Sequence, residues 1–328
     1  MIMGSKQRVF VTRSECENET LDILRDQDID VEVNQEPGKC PPELLKEKLK
    51  SGVAGILVFL SDSIDKEIID AATKDLRVVS TFSVGYDHLD VDYIKSKGII
   101  ATYTPGAVST STAETALTLI LMVLKRVQES QSIMRTYYGS EAYFPPTWVR
   151  GNNLNKKVIG VIGMGRIGRE ISKRIIPFGP DSILYTGKTG PKKDIDFARY
   201  CELDELLSSS DIVIISCSLN SETTHFIDMK AFDQMKKTGI IINVARGGII
   251  QQDDLVQALQ NKKISGAGID VMTPEPLERT NPLLNMPNVV VFPHIGTNTV
   301  ETRLDMGKMA ADNIVNVLKN KEIVNQIP

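Results

Sequence analysis

Three polar side chains each follow an apolar run in the C-terminal half of the sequence. Arg246 follows residues 240–244, Glu275 follows 268–274, and His294 follows 289–293. Arginine stays charged and grips a carboxylate through two parallel hydrogen bonds, while histidine exchanges a proton near neutral pH. A nearby carboxylate would orient the histidine ring and favour its charged form. The three types together suit chemistry that holds a carboxylate and protonates an oxygen beside it.

A glycine-rich stretch supplies the second chemical signal. Gly163, Gly165 and Gly168 have GxGxxG spacing between the apolar run 158–162 and a helical pattern. The first glycine permits a tight turn, the second lets the backbone approach a pyrophosphate, and the third allows close helix–strand packing. The helix N-terminus adds amide donors and partial positive charge. The sequence therefore predicts a dinucleotide site, and with the three strand-end residues it predicts hydride transfer to a 2-oxo acid.

The strand after this loop distinguishes the two nicotinamide cofactors. An NAD site usually has an acidic residue about 20 positions on, bonded to the ribose 2′-hydroxyl. No carboxylate occurs between Ser182 and Lys193, whereas Lys188 lies where it would attract a 2′-phosphate. We therefore predict that NADP(H) is preferred. The alternative is that these lysines form only a solvated surface loop, and NAD(H) stays open as a cofactor.

The remaining histidines and the cysteines do not indicate a metal site. His88 follows a first-half strand, and we predict that it stabilises its own turn; His225 lies near the start of a helix-like stretch. No two histidines have ligand spacing. The cysteines are dispersed and contain no CxxC pair, which favours a reducing compartment: Cys16, Cys40, Cys201 and Cys217.

Two alternating series of strands and helices must position these residues. The strand candidates are 8–12, 29–34, 56–60, 78–82 and 99–102, then 158–162, 182–186, 212–216, 239–244, 267–271 and 289–292. Helix-length spacers between strands indicate parallel sheets. The fold class is therefore α/β with two doubly wound parallel-sheet domains.

Long helical stretches at 109–134 and 299–318 lie where the two series join. The first begins with Ser111 and Glu114 at the spacing of an N-terminal capping box. We expect one discontinuous domain of residues 1–106 and 297–328. The second domain, residues 107–296, is then an insertion.

Composition excludes several classes of protein. The chain has 328 residues, of which 41% are hydrophobic, so it can bury a core. Its net charge of −4 argues against a nucleic-acid partner. The longest apolar run, 116–124, is far shorter than the ~20 residues that span a bilayer. We expect a cytoplasmic protein without a membrane partner.

These residues together resemble the D-isomer-specific 2-hydroxyacid dehydrogenase family, over nearly the whole chain. The motifs are Ser83-Val-Gly-Tyr-Asp-His88, Gly163-Met-Gly-Arg-Ile-Gly168, Asn243-Val-Ala-Arg-Gly247, Gly268-Ile-Asp-Val271, Pro274-Glu-Pro276 and Pro293-His294. Within the family, the glyoxylate/hydroxypyruvate reductase branch is most similar, through Leu184-Tyr-Thr-Gly-Lys188, Cys217-Ser-Leu219 and Pro293-His-Ile-Gly296. In that branch the first of these stretches goes with NADP(H).

The resemblance implies a flavodoxin-like substrate domain with a Rossmann cofactor domain inserted in it. It implies that Arg246 binds the substrate carboxylate together with the Val84–Gly85 backbone. It makes Glu275 and His294 the acid–base pair, with His294 also in contact with substrate. Residues assigned to the cofactor by the same resemblance are Arg166 and Ile167 at the pyrophosphate, and Thr112, Ser218, Val244, Asp270 and Gly296 at the adenosine or nicotinamide.

Members of the family are typically dimers, so we expect a homodimer. Residues 142–152 correspond to a segment that reaches the partner subunit, where Trp148 would help to enclose a small polar substrate. Ordinary interface packing is an equally good interpretation of Trp148.

The function predicted from the sequence is NADPH-dependent reduction of a small 2-oxo acid, glyoxylate to glycolate or hydroxypyruvate to D-glycerate, with His294 as general acid. One alternative is an NAD-dependent sibling that acts on D-lactate or phosphoglycerate and shares every catalytic residue. A second is a dinucleotide-sensing transcriptional corepressor on the same fold, because corepressors can keep the same triad.

Overall fold

The computed structural model describes residues 6–136 and 147–328. It divides into two compact units. Unit 1 comprises Met1–Val108 and Asn298–Pro328, and unit 2 comprises Ser109–Thr297. In the described ranges, no helix has the length and apolar character that crossing a membrane requires.

Unit 1 is a five-stranded parallel sheet with helices on both faces. Its strands are β1 (Arg8–Val11), β2 (Asp30–Val33), β3 (Gly55–Val58), β4 (Val78–Thr81) and β5 (Ile100–Thr102). Its helices are α1 (Asn18–Arg25), α2 (Pro42–Lys50), α3 (Lys66–Asp70), α4 (Val91–Ser96) and the C-terminal α11 (Val300–Leu318). The strand order β2-β1-β3-β4-β5 is the flavodoxin-like order.

Unit 2 is a seven-stranded parallel sheet. Its strands are β6 (Val158–Ile162), β7 (Ser182–Thr186), β8 (Arg199–Tyr200), β9 (Ile212–Ile215), β10 (Ile240–Asn243), β11 (Gly266–Ile269) and β12 (Val289–Val291). Its helices are α5 (Ser109–Leu124), α6 (Val127–Thr136), α7 (Arg166–Ile175), α8 (Leu203–Ser209), α9 (Met229–Gln234) and α10 (Gln252–Gln260). The order β12-β11-β10-β9-β6-β7-β8 reverses direction between β6 and β9, as in a Rossmann sheet.

The central strands of unit 2 are apolar because both faces of the sheet are covered. All four residues of β9, of β10 and of β11 are buried. One hydrophobic cluster packs Phe232 and Leu255 against one face, and a second packs Leu119 and Ile171 against the other. The predicted fold class is confirmed: two parallel-sheet α/β units.

The C-terminal helix α11 packs on the sheet of unit 1, against α1, β3 and β4. The Ser80 hydroxyl on β4 donates to the Ala310 carbonyl at 3.1 Å. The Arg77 guanidinium donates to the Val317 and Leu318 carbonyls at the end of the helix. The tail of the chain therefore belongs to the first-half sheet.

Two local predictions were wrong. The stretch 109–134 is not one helix, because Arg126 has φ 51° and α5 ends before it. The Ser111–Glu114 pair lies inside α5, which already begins at Ser109, so it does not cap the helix. A two-residue strand, Arg199–Tyr200, was also missed, since so short a run has no alternation to detect.

Candidate active site

His294 and Glu275 form a hydrogen-bonded pair beyond the carboxyl ends of β12 and β11. Nδ1 of His294 lies 2.8 Å from Oε2 of Glu275. Because an ionised carboxylate only accepts hydrogen bonds, Nδ1 carries the proton of this contact. The other ring nitrogen, Nε2, is therefore the one that can serve a substrate.

The surroundings of Glu275 keep it ionised. Burial alone would raise the pKa of this carboxyl, whereas the hydrogen bond from His294 and the charge of His294 lower it. The Met272 amide, which donates to Oε1 at 2.9 Å, and the nearby charge of Arg246 lower the pKa of Glu275 further. The net effect is a pKa below the ordinary value, so the carboxylate persists beside the imidazole.

A buried aspartate holds the backbone on either side of the His294 side chain. Oδ1 of Asp270 accepts from the Ile295 amide and Oδ2 from the Gly296 amide, both at 2.8 Å. The His294 amide donates to the Asp270 carbonyl at 2.8 Å. Burial raises the pKa of Asp270. These bonds hold His294 in a left-handed conformation at φ 57°, which is rare outside glycine and turns its side chain out of the strand direction.

Arg246 is positioned by a turn that closes the end of β10. The side chain of Asn243 donates to the Arg246 carbonyl at 2.9 Å and accepts from the Ala245 amide at 3.0 Å. A Cβ on Gly247 would come within 2.1 Å of the Met272 carbonyl oxygen. The loop that carries Arg246 is therefore in close contact with the loop that leads to Glu275.

The glycine-rich loop has the geometry of a dinucleotide cradle. Gly163 has φ +97°, and a Cβ there would lie 2.6 Å from the Cys217 amide nitrogen. A Cβ on Gly168 would lie 2.2 Å from the Gly163 carbonyl oxygen, so these two glycines are needed for packing. Gly165, by contrast, is exposed and has no neighbour within 4 Å of such a Cβ. The open surface at Gly165 lets the backbone approach a pyrophosphate.

The amide groups that would bind phosphate come from the start of α7. Gly165 is its N-cap, and no side chain caps this end. Arg166 begins the helix and is exposed, while Ile167 packs against the core. Uncapped amide donors at a helix N-terminus suit a phosphate, so these residues fit a dinucleotide.

Lys188 follows β7 and is exposed, but it is not isolated. Its Nζ lies 2.8 Å from Oε2 of Glu222, in the loop after β9. The side chains are 77% and 62% exposed, so the ion pair is weak and screened. Because Glu222 lies 34 positions after Lys188, the sequence around the lysine does not indicate this partner.

The other residues predicted to bind cofactor lie along the same edge of unit 2. The Thr112 hydroxyl on α5 donates to the Gly296 carbonyl at 3.4 Å. The Ser218 carbonyl accepts from the Thr223 hydroxyl at 2.8 Å, and Val244 is buried at the end of β10.

Comparisons with known proteins identify the family. The model of the D-isomer specific 2-hydroxyacid dehydrogenase NAD-binding domain matches residues 117–296. The glyoxylate reductase/hydroxypyruvate reductase of Homo sapiens is 39% identical over 322 residues, 98% of this chain and 97% of that protein. The chain belongs to the D-isomer-specific 2-hydroxyacid dehydrogenase family. The matched part of this dehydrogenase is thus a nicotinamide dinucleotide domain, and the sequence resemblance is confirmed.

Solved structures of the family have the same fold. A glyoxylate reductase from Paecilomyes thermophila superposes with a TM-score of 0.88 at 30% identity, over 99% of both chains. An NADPH-dependent glyoxylate/hydroxypyruvate reductase from Sinorhizobium meliloti, solved with NADP and malonate, superposes with a TM-score of 0.87 at 28% identity. The alignment with the latter covers 98% of this dehydrogenase and 97% of that chain.

Two predicted substrate-binding residues of the dehydrogenase belong to unit 1, and part of the segment that contains Trp148 lies outside the described residues. Val84 and Gly85 belong to unit 1, in the turn after β4. Trp148 is half-buried in a turn, whereas residues 142–146 of its segment lie outside the described residues.

The two other histidines of the dehydrogenase have structural partners. Nε2 of His88 lies 2.9 Å from the Thr81 hydroxyl, as expected for a turn-stabilising residue. His225 is in a turn at φ 53° rather than at a helix start, and its amide donates to the Gly248 carbonyl at 2.8 Å. Within the described ranges, no three His, Cys, Asp or Glu side chains converge as metal ligands would.

Asn243 and Glu222 are functional candidates that sequence reasoning missed. Asn243 is 1% exposed, and a polar residue that ends an otherwise apolar strand was a usable signal for it. Nothing local to Glu222 indicates its partner, because the contact joins the loops that follow β7 and β9, two strands that lie on either side of β6.

Proposed function

We propose that this protein reduces glyoxylate to glycolate and hydroxypyruvate to D-glycerate with NADPH. The observation that carries the proposal is the 2.8 Å pair of His294 and Glu275, built on strand ends beside the loop of Arg246. Its similarity to the human glyoxylate reductase/hydroxypyruvate reductase supports this substrate class.

Each side chain has a defined task in this reaction. Arg246 holds the substrate carboxylate through its planar guanidinium, and the Val84–Gly85 backbone holds the same carboxylate. When bound, the reduced nicotinamide supplies the hydride. His294 gives the Nε2 proton to the carbonyl oxygen, so that the ketone or aldehyde becomes a hydroxyl group. Glu275 stabilises the charged imidazole before this transfer.

The cofactor residues act by orientation and charge. Gly163, Gly165 and Gly168 with the α7 amides would hold the pyrophosphate. The carboxylate of Asp270 fixes the backbone that carries His294 and orients the nicotinamide. Residues that complete the cofactor contact are Thr112, Arg166, Ile167, Ser218, Val244 and Gly296.

Lys188 supports a preference for NADPH, because its charge would attract the 2′-phosphate. Its ion pair with Glu222 favours the second candidate function, that of an NADH-dependent D-2-hydroxyacid dehydrogenase. A 2′-phosphate carries nearly two negative charges and would displace a weak exposed carboxylate partner. If Glu222 keeps the lysine instead, NADH becomes the better cofactor. The ratio of kcat/KM with NADPH to kcat/KM with NADH distinguishes the two candidates.

We further infer the assembly and setting of the enzyme. Unit 1 would bind substrate and unit 2 the cofactor. The protein would act as a homodimer in the cytoplasm. The four cysteines, which are all free in the structure, agree with a reducing compartment. Trp148 would either reach the active site of the partner subunit or pack in the dimer interface. The variant Trp148→Ala distinguishes the two. A change in the substrate KM alone would indicate the first, and a change in the dimer dissociation constant would indicate the second.

The experiment is a panel of small 2-oxo acids assayed with NADPH and with NADH. We expect glyoxylate and hydroxypyruvate to be reduced fastest, with the higher kcat/KM for NADPH. His294→Ala should lower turnover by roughly 10²–10⁴-fold, the usual contribution of a general acid. Near-normal turnover of that variant would refute the role of His294.

Two variants test the cofactor preference separately. Lys188→Ala should reduce the NADPH/NADH ratio of kcat/KM about tenfold, by loss of a charged phosphate contact. Glu222→Gln should raise the ratio about two- to fivefold, the range of an exposed ion pair. Lys193→Ala, an exposed lysine in the same loop, is the matched control. A wild-type preference for NADH would overturn the NADPH proposal.

A further inference from the structure

We propose that His88 is a positioning residue that fixes the Val84–Gly85 backbone through a directed chain of hydrogen bonds. The inference rests on the proposed function, in which that backbone holds the substrate carboxylate. His88 does not contact substrate in this account. It acts through two hydroxyl groups, those of Thr81 and Ser83.

The chain of contacts is continuous. Nε2 of His88 lies 2.9 Å from the Thr81 hydroxyl, and this hydroxyl lies 2.7 Å from the Ser83 hydroxyl. The Ser83 hydroxyl donates to the Gly85 carbonyl at 2.7 Å. Thr81 and Ser83 are 0% and 2% exposed, so water does not compete for these bonds.

The last acceptor determines the direction of every proton in the chain. The Gly85 carbonyl can only accept, so the Ser83 hydroxyl uses its one proton there. The Ser83 oxygen must then accept from the Thr81 hydroxyl, which in turn has no proton left for His88. Nε2 of His88 is therefore the donor and carries a proton in each charge state of the ring.

The backbone around His88 is itself held by hydrogen bonds, so the chain of side-chain hydrogen bonds begins from a fixed position. The His88 carbonyl accepts from the Ile64 amide at 2.9 Å, and the Leu89 amide donates to the Tyr86 carbonyl at 3.0 Å. The first bond ties the turn after β4 to the loop after β3, and the second closes the turn itself. The hydroxyl chain then runs back across the turn to Gly85, whose lack of a side chain would otherwise leave its peptide groups free to rotate.

Fixing the Gly85 carbonyl fixes the peptide plane that follows it and restricts the donors of the same turn. A pre-oriented donor loses less entropy when an anion binds than a mobile one does. The consequence is specific to the oxo acid: loss of the chain weakens carboxylate binding and leaves cofactor binding and the proton-transfer pair unchanged.

The proton order is tested directly by nitrogen-15 NMR of the histidine rings in the full-length wild-type protein. The chain has three histidines, so His88→Gln and His225→Gln assign all the signals. We expect the His88 ring to carry its proton on Nε2. A ring with a bare Nε2 and a proton on Nδ1 would overturn the inference, because Thr81 would then be the donor and the chain would be broken at Ser83.

Kinetics test the positioning role. His88→Phe and Ser83→Ala should raise KM for glyoxylate roughly two- to tenfold, the range of one net hydrogen bond. The kcat value and KM for NADPH should stay within about twofold of wild type, and His88→Gln, whose amide is a donor, should restore most of the loss. His225→Gln should leave all three constants unchanged.

The remaining outcomes are distinguishable. An unchanged glyoxylate KM in both His88→Phe and Ser83→Ala overturns the positioning role, and so does an equal rise in the KM for NADPH. If His88→Phe does not fold, Ser83→Ala still removes the last bond while leaving the ring in place. A wild-type protein that reduces no 2-oxo acid would refute the proposed function itself, which the NMR measurement does not depend on.

Discussion

Replacement of Glu275 by glutamine tests the acid–base pair without changing its shape. In the native site Oε1 accepts from the Met272 amide at 2.9 Å and Oε2 faces Nδ1 of His294 at 2.8 Å. The Met272 amide requires an acceptor, so the glutamine oxygen takes that position and the amide NH₂ group faces His294. Two donors cannot share that contact, so the imidazole loses both the hydrogen-bond acceptor and the negative charge that support its protonated form.

The size of the effect follows from the exposure of the pair. A hydrogen bond to a charged group contributes about 1.5–3 kcal/mol. The two side chains are 25% and 35% exposed, so solvent screening favours the lower half of that range. Since about 1.4 kcal/mol is tenfold in rate, Glu275→Gln should reduce kcat for glyoxylate about ten- to fortyfold at pH 7.

The pH dependence gives the sharper result. The carboxylate of Glu275 supports His294 only while it is ionised, whereas the glutamine side chain does not titrate. The ratio of wild-type kcat to Glu275→Gln kcat should therefore stay constant at neutral and alkaline pH and fall at acidic pH, as the Glu275 carboxylate becomes protonated. In wild type the lowered pKa of Glu275 keeps the carboxylate charged to pH values below its ordinary range.

The assay is steady-state oxidation of the reduced cofactor with glyoxylate from acidic to alkaline pH. Glu278→Gln is the control, because Glu278 is exposed and lies only three residues further along the chain. We expect the control to match wild type. A kcat for Glu275→Gln equal to wild type at pH 7, or a kcat ratio that does not fall at any acidic pH where both proteins stay folded, would refute the electrostatic role assigned to the carboxylate.

Three further outcomes are expected. Arg246→Lys should raise the glyoxylate KM by roughly tenfold or more, because a point charge cannot reproduce the two parallel bonds of the guanidinium; an unchanged KM would remove Arg246 from the carboxylate site. Gly165→Ala should leave Tm unchanged, because a Cβ there meets nothing within 4 Å. It should weaken cofactor binding in titration calorimetry about tenfold, and undiminished affinity would contradict the close approach of this backbone to the pyrophosphate. Burial would raise the pKa of Asp211, but the Val158 amide at 2.9 Å and Lys236 at 3.0 Å hold it below its ordinary value. The resulting stability is present above the unfolded-state pKa and is lost as pH falls through the folded-state pKa. Asp211→Asn should thus lower Tm at pH 7, and the difference from wild type should shrink as pH falls below the ordinary range of an aspartate pKa in thermal unfolding; a constant difference between the two proteins at all pH values would contradict this.

The spacing of apolar runs predicted most of the fold, and the position of polar residues after those runs predicted the site. Apolar runs separated by helix-length spacers indicated parallel sheets, and every predicted strand of unit 2 is present within one or two residues of its predicted bounds. The signal is strong because buried parallel strands must be apolar on both faces. Arg246, Glu275 and His294 follow three such strands, which end on the same side of one sheet. Their proximity could therefore be anticipated from topology alone.

Several features were decided by contacts between distant segments. The break of the helix at Arg126 depends on a single left-handed residue, which no hydrophobic pattern marks. The Lys188–Glu222 pair joins loops 34 residues apart, so a search for acids near the lysine in sequence could not find it.

The sequence indicates the candidate chemistry of this protein, because residue types and their spacing limit what a site at strand ends can do. The sequence determined which groups are available to carry charge and protons, namely an arginine, a glutamate and a histidine, and it placed a glycine-rich loop before a helix. Only the tertiary structure decided which atoms of these groups are positioned to act. The bond from Glu275 selects Nε2 of His294 as the nitrogen that can serve substrate, and the hydroxyl chain from Gly85 back to His88 sets the direction of its protons. Hydrogen-bond direction depends on where each donor and acceptor lies in space, and side chains far apart in sequence meet only in the folded protein.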